Sequence, residues 1–202
     1  MKKLMFIVCF LSLGMMEASA QSFGLGARAG MNISNQSISV SGASVSPSSK
    51  MGYLVGAYAK IMFSDNFGIQ PELFLSSVGS KWPTSLTGGT SDATFRMNYI
   101  SLPVFFRYNV NDNFHLLAGP QLGILLSADA IYSGQTTDMK SDFNSSDIGG
   151  TFGAGVDFGA FNAGVRYNFS FGNASTSSGN FSGSTVKNTA IQIVAGYRLF
   201  GK

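Results

Sequence analysis

The chain has 202 residues, of which 45% are hydrophobic, 13% aromatic and only 11% charged, with 13 basic residues against 10 acidic ones. This mixture is too apolar and aromatic for a disordered chain, and a formal charge of +3 is too close to balance to point to nucleic acid or a polybasic membrane contact. The one long apolar run, Leu4 to Met16, falls short of the ~20 residues a membrane-spanning helix needs.

Residues 1–20 read as an export signal. Lys2 and Lys3 supply the basic start, Leu4 to Met16 the apolar stretch, and Ala18-Ser19-Ala20 the small-residue cleavage site. The domain proper is then 21–202, with 11 basic and 9 acidic residues once Lys2, Lys3 and Glu17 are gone. Cys9, the only cysteine, leaves with the signal. Disulfide and thiolate chemistry leave with it, and no His/Cys metal site can be assembled.

Beyond the signal the chain is organised by a period of two, the mark of strands with one apolar and one polar face. Eight strands are predicted, at 22–33, 50–63, 67–80, 94–109, 114–127, 146–158, 161–172 and 187–200. The clearest is Phe161 to Phe171, where every odd position is apolar and every even one polar or Gly. Ser64-Asp65-Asn66, Asn111-Asp112-Asn113 and Gly159-Ala160 form tight turns. Between the remaining pairs lie Ser-, Thr-, Gly- and Asn-rich segments at 34–49, 81–93, 128–145 and 173–186. Long and short connections alternate strictly.

That alternation predicts an all-β fold, an eight-stranded up-and-down antiparallel transmembrane β-barrel. It belongs in the bacterial outer membrane, with both termini on the periplasmic, short-turn side and outer-membrane lipid as its surroundings. Turning the charged strand residues inward leaves sets such as Ile100, Leu102, Val104, Phe106 and Tyr108, or Ile191, Ile193, Ala195, Tyr197 and Leu199, facing lipid. No charge falls in these sets, and one at the bilayer midplane would cost roughly 2–4 kcal/mol. Phe63, Phe67, Tyr108, Phe114, Phe158, Phe161, Tyr197 and Phe200 cluster beside the short turns, as an interfacial girdle does. Pro71, Pro103 and Pro120 each delete a ladder hydrogen bond, so bulges or irregularity are expected there. The opposite fold, a soluble lipocalin-like barrel, would put apolar groups inside and charges outside.

Several stretches resemble a known family. Gly68-Ile69-Gln70-Pro71-Glu72-Leu73, Tyr99-Ile100-Ser101-Leu102-Pro103, Ala118-Gly119-Pro120-Gln121-Leu122-Gly123, Gly164-Val165-Arg166-Tyr167-Asn168 and Gly196-Tyr197-Arg198-Leu199-Phe200 are similar, in this order, to the PorT-like outer-membrane β-barrel family of Bacteroidetes. The resemblance covers nearly all of 21–202. It implies an eight-stranded outer-membrane barrel, loosely like the OmpA and OmpX barrels, and implies no activity.

The candidate site is a lumen charge network: Arg28, Lys60, Arg107, Arg166 and Arg198 facing Glu72 and Asp157. Small barrels are usually filled by side chains, so the leading reading is a set of salt bridges that plugs the lumen. The alternative is a cationic constriction for small anionic solutes. His115 is the single histidine and stands near a short turn without a recognisable nucleophile, so no enzyme, catalytic residue or cofactor is expected. Asp129, Asp138, Asp142 and Asp147 lack the spacing of a calcium loop and read as a solvated segment. The function expected is a structural or binding role. The segments 34–49, 81–93, 128–145 and 173–186 would meet an extracellular or envelope protein or ligand. A narrow anion pore is the alternative, and an outer-membrane enzyme ranks last.

Overall fold

A computed structural model of the chain describes residues 22–40, 43–45, 47–84, 92–175 and 184–201. Residues 1–20, expected to be an export signal, lie outside these residues. Among the described residues there are ten strands: β1 (Ser22–Val40), β2 (Ala43–Val45), β3 (Ser48–Met62), β4 (Phe67–Trp82), β5 (Ala93–Asn109), β6 (Phe114–Tyr132), β7 (Gln135–Asp138), β8 (Ser146–Phe158), β9 (Phe161–Ser170) and β10 (Ser184–Gly201). Eight of them close a ring, each paired antiparallel with its neighbour in the order β1-β3-β4-β5-β6-β8-β9-β10, with β10 pairing back onto β1 from Gly24↔Gly201 to Val40↔Ser184. The short β2 and β7 pair only with β1 and β6. Closure leaves the ring no unpaired edge, which a strand in lipid requires.

The two faces follow the sequence pattern. Phe106, Phe152, Val165, Leu73 and Ile193 stand exposed on the outer face, while Arg28, Glu72, Arg107, Arg166 and Gln192 are buried within. At the short-turn end, Phe67 packs on Tyr108 with ring centroids 5.0 Å apart and Phe161 on Tyr197 at 4.9 Å, so the girdle is built of cross-strand ring pairs. A bulge at Leu25/Gly26 shifts the β1–β10 register there. Phe200, whose parity alone would turn it inward, therefore pairs with Leu25 and joins Leu199 on the outer face.

The short turns are held by their own polar side chains. Ser64 Oγ accepts the Phe67 N–H at 3.0 Å, and Asn111 Oδ1 accepts those of Asn113 and Phe114 at 3.0 and 2.8 Å. Gly159 adopts φ +62° in the two-residue turn between β8 and β9, a conformation Gly enters without strain. Asn66, Asn109 and Asn113 then donate to backbone carbonyls of adjacent hairpins at 2.8–3.0 Å, which ties this end into one plate.

Three expectations need correction. Two of the segments read as loops are largely sheet: β1 runs on to Val40, β6 on to Tyr132, and β7 folds back on β6 through the Ser133-Gly134 turn. Ser-, Asn- and Thr-rich composition marks where the chain leaves lipid, not where the ladder ends, because strands in water need no apolar face. Next, Pro71, Pro103 and Pro120 cause no register shift. The ladder instead drops its pairs at Ala59–Lys60 opposite Gln70–Pro71, at Glu72–Leu73 opposite Leu102–Pro103 and at Val104–Phe105 opposite Gly119–Pro120, then resumes in the same register. Finally, not every strand charge points inward: Arg96 stands on the outer face near the loop end of β5, bonded across the ladder to Asp129 at 3.3 Å.

Candidate functional site: the occluded lumen

The lumen is filled in three layers. Nearest the short turns and middle lies the charge network. Glu72, on β4, is wholly enclosed and receives hydrogen bonds from Arg28 on β1, from Arg166 on β9 at 2.6 and 2.8 Å, and from Gln70 Nε2 at 2.5 Å. The two arginines come from strands that pair with neither β4 nor its neighbour β5, so the bridge crosses the barrel axis. Gln70 Oε1 accepts from Arg107 Nη1 at 2.9 Å, and Arg107 in turn donates to Asp157 on β8 and to Asn109 Oδ1 at 2.9 Å. One connected network thus runs from Asp157 through Arg107, Gln70 and Glu72 to Arg28 and Arg166. Arg28 also reaches Asn162 Oδ1 at 2.5 Å, and Asn162 Nδ2 donates to Tyr58 Oη at 2.8 Å.

Apolar rings complete this layer. Arg28 lies 4.4 Å over the Tyr58 ring and Arg166 4.6 Å over that of Phe105, a cation–π arrangement. Phe105, Phe74, Leu54, Leu117 and Val194 are also buried and point inward, so apolar side chains fill the lumen together with the charges. Glycines make room for the larger groups. A side chain at Gly26 would come within 2.5 Å of the Tyr58 ring, and one at Gly155 within 2.6 Å of His115 Nε2. His115 is buried, with Nδ1 3.7 Å from Asp157 Oδ2 and unpartnered.

Above it lies a polar belt around a cavity of about 30 Å³, room for roughly one or two waters. Asp147 accepts from Ser170 Oγ at 2.6 Å and Asn188 Nδ2 at 3.0 Å. Gln36 bridges Asn188 to Ser80, whose Oγ takes the Trp82 indole N–H at 3.1 Å. Asp147 was read as part of a solvated segment. It belongs to β8 and faces the lumen; its parity with Gly153 and Asp157 was the signal that could have placed it. At the loop end, Met97, Tyr99, Leu125, Ala128, Phe143, Ala174 and Val186 form an apolar cluster, with Trp82, Val78 and Met139 against it. Phe143, carried by the segment after β7, bridges to Ser175 and so draws two external connections together over the mouth.

Of the seven residues expected in the charge network, the structure joins five: Arg28, Glu72, Arg107, Asp157 and Arg166. Lys60 and Arg198 stand apart from it, at the short-turn mouth.

A closed ring of eight antiparallel strands, apolar toward lipid and ionic toward a filled axis, defines a small outer-membrane β-barrel. The chain belongs to the family described as outer membrane protein beta-barrel domain, whose model matches residues 19–176, and its place is the bacterial outer membrane. No curated protein matches the sequence. Among solved structures it is similar to Neisserial surface protein A, at 14% identity and a TM-score of 0.52, covering 87% of this chain and 99% of that one. It is also similar to Ail of Yersinia pestis, solved with the heparin analogue sucrose octasulfate (16%, TM-score 0.46, 88% and 99%), and to OprG of Pseudomonas aeruginosa (15%, TM-score 0.45, 88% and 95%). At 14% identity the likeness to Neisserial surface protein A is one of fold alone.

Proposed function

We propose that this protein is a non-catalytic barrel of the PorT-like kind that works through its external segments, with its lumen sealed and its termini at the periplasmic face. The observation that carries this reading is the Arg28–Glu72–Arg166 bridge. Two guanidinium groups clamp one carboxylate across the axis, with side chains 2%, 0% and 2% exposed. An ion crossing the barrel would have to break charge-assisted bonds in a medium of low dielectric. The polar belt and the apolar cluster stand in series with that barrier. What remains available to a partner is the rigid rim raised by β1, β6 and β10, with the segments 34–49, 81–93, 128–145 and 173–186 as the surfaces that meet an extracellular or envelope ligand.

The second reading, a narrow path for small anions, draws on the five basic residues against two acidic ones in the lumen set. Planar-bilayer recording separates the two. A sealed barrel gives no steady single-channel conductance. Large, steady openings, altered in ion selectivity by Arg107→Ala or Arg166→Ala, would overturn the sealed reading. As for chemistry, a His115→Ala variant should be indistinguishable from the unaltered protein in any lipid- or peptide-hydrolysis assay.

A further inference from the structure

The short-turn mouth carries two cations that the lumen network leaves over. Lys60 on β3 and Arg198 on β10 flank β1, facing Gly24 and Gly26 across the ladder, with the Tyr58 ring over Gly26 between them. They line a notch with Tyr58, Arg107, Asp157 and Asn162. Arg107 is already matched by Asp157. Lys60 and Arg198 are half-buried and have neither a hydrogen bond nor an ion pair with any described residue. Two like charges held side by side at a partly desolvated rim repel each other, and a structural plug has no use for them.

We propose that this mouth is an oxyanion site of the phosphate class, with Lys60 and Arg198 as its two arms. The charge balance selects the ligand. Once Asp157 neutralises Arg107, two positive charges remain, and a phosphate or phosphomonoester carries about −1.5 to −2 at neutral pH; a single carboxylate would leave one cation unmatched. The size of the notch selects the mode. Its volume of about 10 Å³ admits roughly one water-sized group, so one oxygen enters between the arms while the body of the ligand stays outside. Arg198 can offer that oxygen and those left at the rim its planar fork of donors, and Lys60 a point charge. The site lies at the end opposite the external segments and stands independently of their proposed role.

The test is a titration of the full-length barrel with inorganic phosphate in phosphate-free maltoside micelles, followed by NMR of the Arg198 Nε–H and the Lys60 side chain. The proposal predicts saturable shifts of both, at least tenfold weaker binding in Lys60→Gln and in Arg198→Gln, and no response in the double variant. Neither residue is tied into the network, so both variants should fold, and a native-like spectrum of the Arg28–Glu72–Arg166 region checks this. The same shifts in nanodiscs containing phosphatidic acid, a phosphomonoester lipid, without added phosphate, absent in phosphatidylcholine ones, would identify a lipid headgroup as the source. Sodium chloride at matched ionic strength reproducing the shifts, or shifts that persist in the double variant, would overturn the site.

Discussion

Glu72 shows how a sequence rich in strand charges can still give a sealed interior. Its two oxygens accept from two arginines and one glutamine, all of them enclosed. Removing the carboxylate leaves two buried guanidinium groups facing each other, so Glu72→Ala should cost about 3–5 kcal/mol, read as a lowered midpoint in urea unfolding from lipid vesicles. Glu72→Gln, which keeps an acceptor but not the charge, should cost less. The contrast is Arg96, whose side chain is 43% exposed and meets Asp129 at 3.3 Å. Solvent screens that pair, and Arg96→Ala should change stability by under about 1 kcal/mol in the same experiment. The charged residues themselves were legible in the sequence as an inward set. Their partners were not: Arg28, Glu72 and Arg166 sit on strands that never pair, and only closure of the ring brings them together. Lys60 and Arg198 share the parity of the others, and nothing in spacing separates a paired lumen cation from an unpaired one.

At the scale of the strand, the period-two pattern located all eight barrel strands because lipid enforces it. Every outward residue in the bilayer must be uncharged, and on every barrel strand but β6 a one-residue slip would turn a charge outward. Accordingly, Leu102→Arg, near the middle of β5, should destabilise the barrel by roughly 2–4 kcal/mol, a loss visible in the same urea titration. Outside the bilayer that constraint lapses and the pattern with it, which is why β1 and β6 extend beyond their predicted ends. The prolines show a further limit. Pro71, Pro103 and Pro120 lie on three adjacent strands, and the missing pairs fall beside one another, at Ala59–Lys60, Gln70–Leu73, Leu102–Phe105 and Gly119–Pro120. Sequence revealed each lost donor but not that the gaps form a seam from β3 across β4 and β5 to β6. Amides along this seam, such as those of Leu73, Val104 and Phe105, should exchange with deuterium about tenfold faster or more than those of Ala29 to Ile33, where β1 is paired continuously on both sides.

For the whole molecule, the rigid parts and the open parts divide by end. The short-turn end is a plate of tied hairpins over a charge-filled lumen; the other end raises extended strands and brings its connections together over an apolar cluster. Architecture and location could be read from alternation, turn spacing and the absence of outward charge. The filled lumen could be read only in part, because Phe74 and Phe105 are apolar residues on the inward parity, and an apolar residue in a strand gives no sign of facing side chains instead of lipid. All of this depends on which face of the ribbon touches lipid. The most direct test scans single cysteines carrying a nitroxide through residues 161–171 in bilayers, with Cys9, the chain's only native cysteine, replaced. Collision with dissolved oxygen should be high at the odd positions, among them Phe161, Val165, Tyr167 and Phe171, and low at Asn162, Gly164, Arg166 and Asn168. Maxima at the even positions, or no period of two, would contradict the structure's orientation in the membrane.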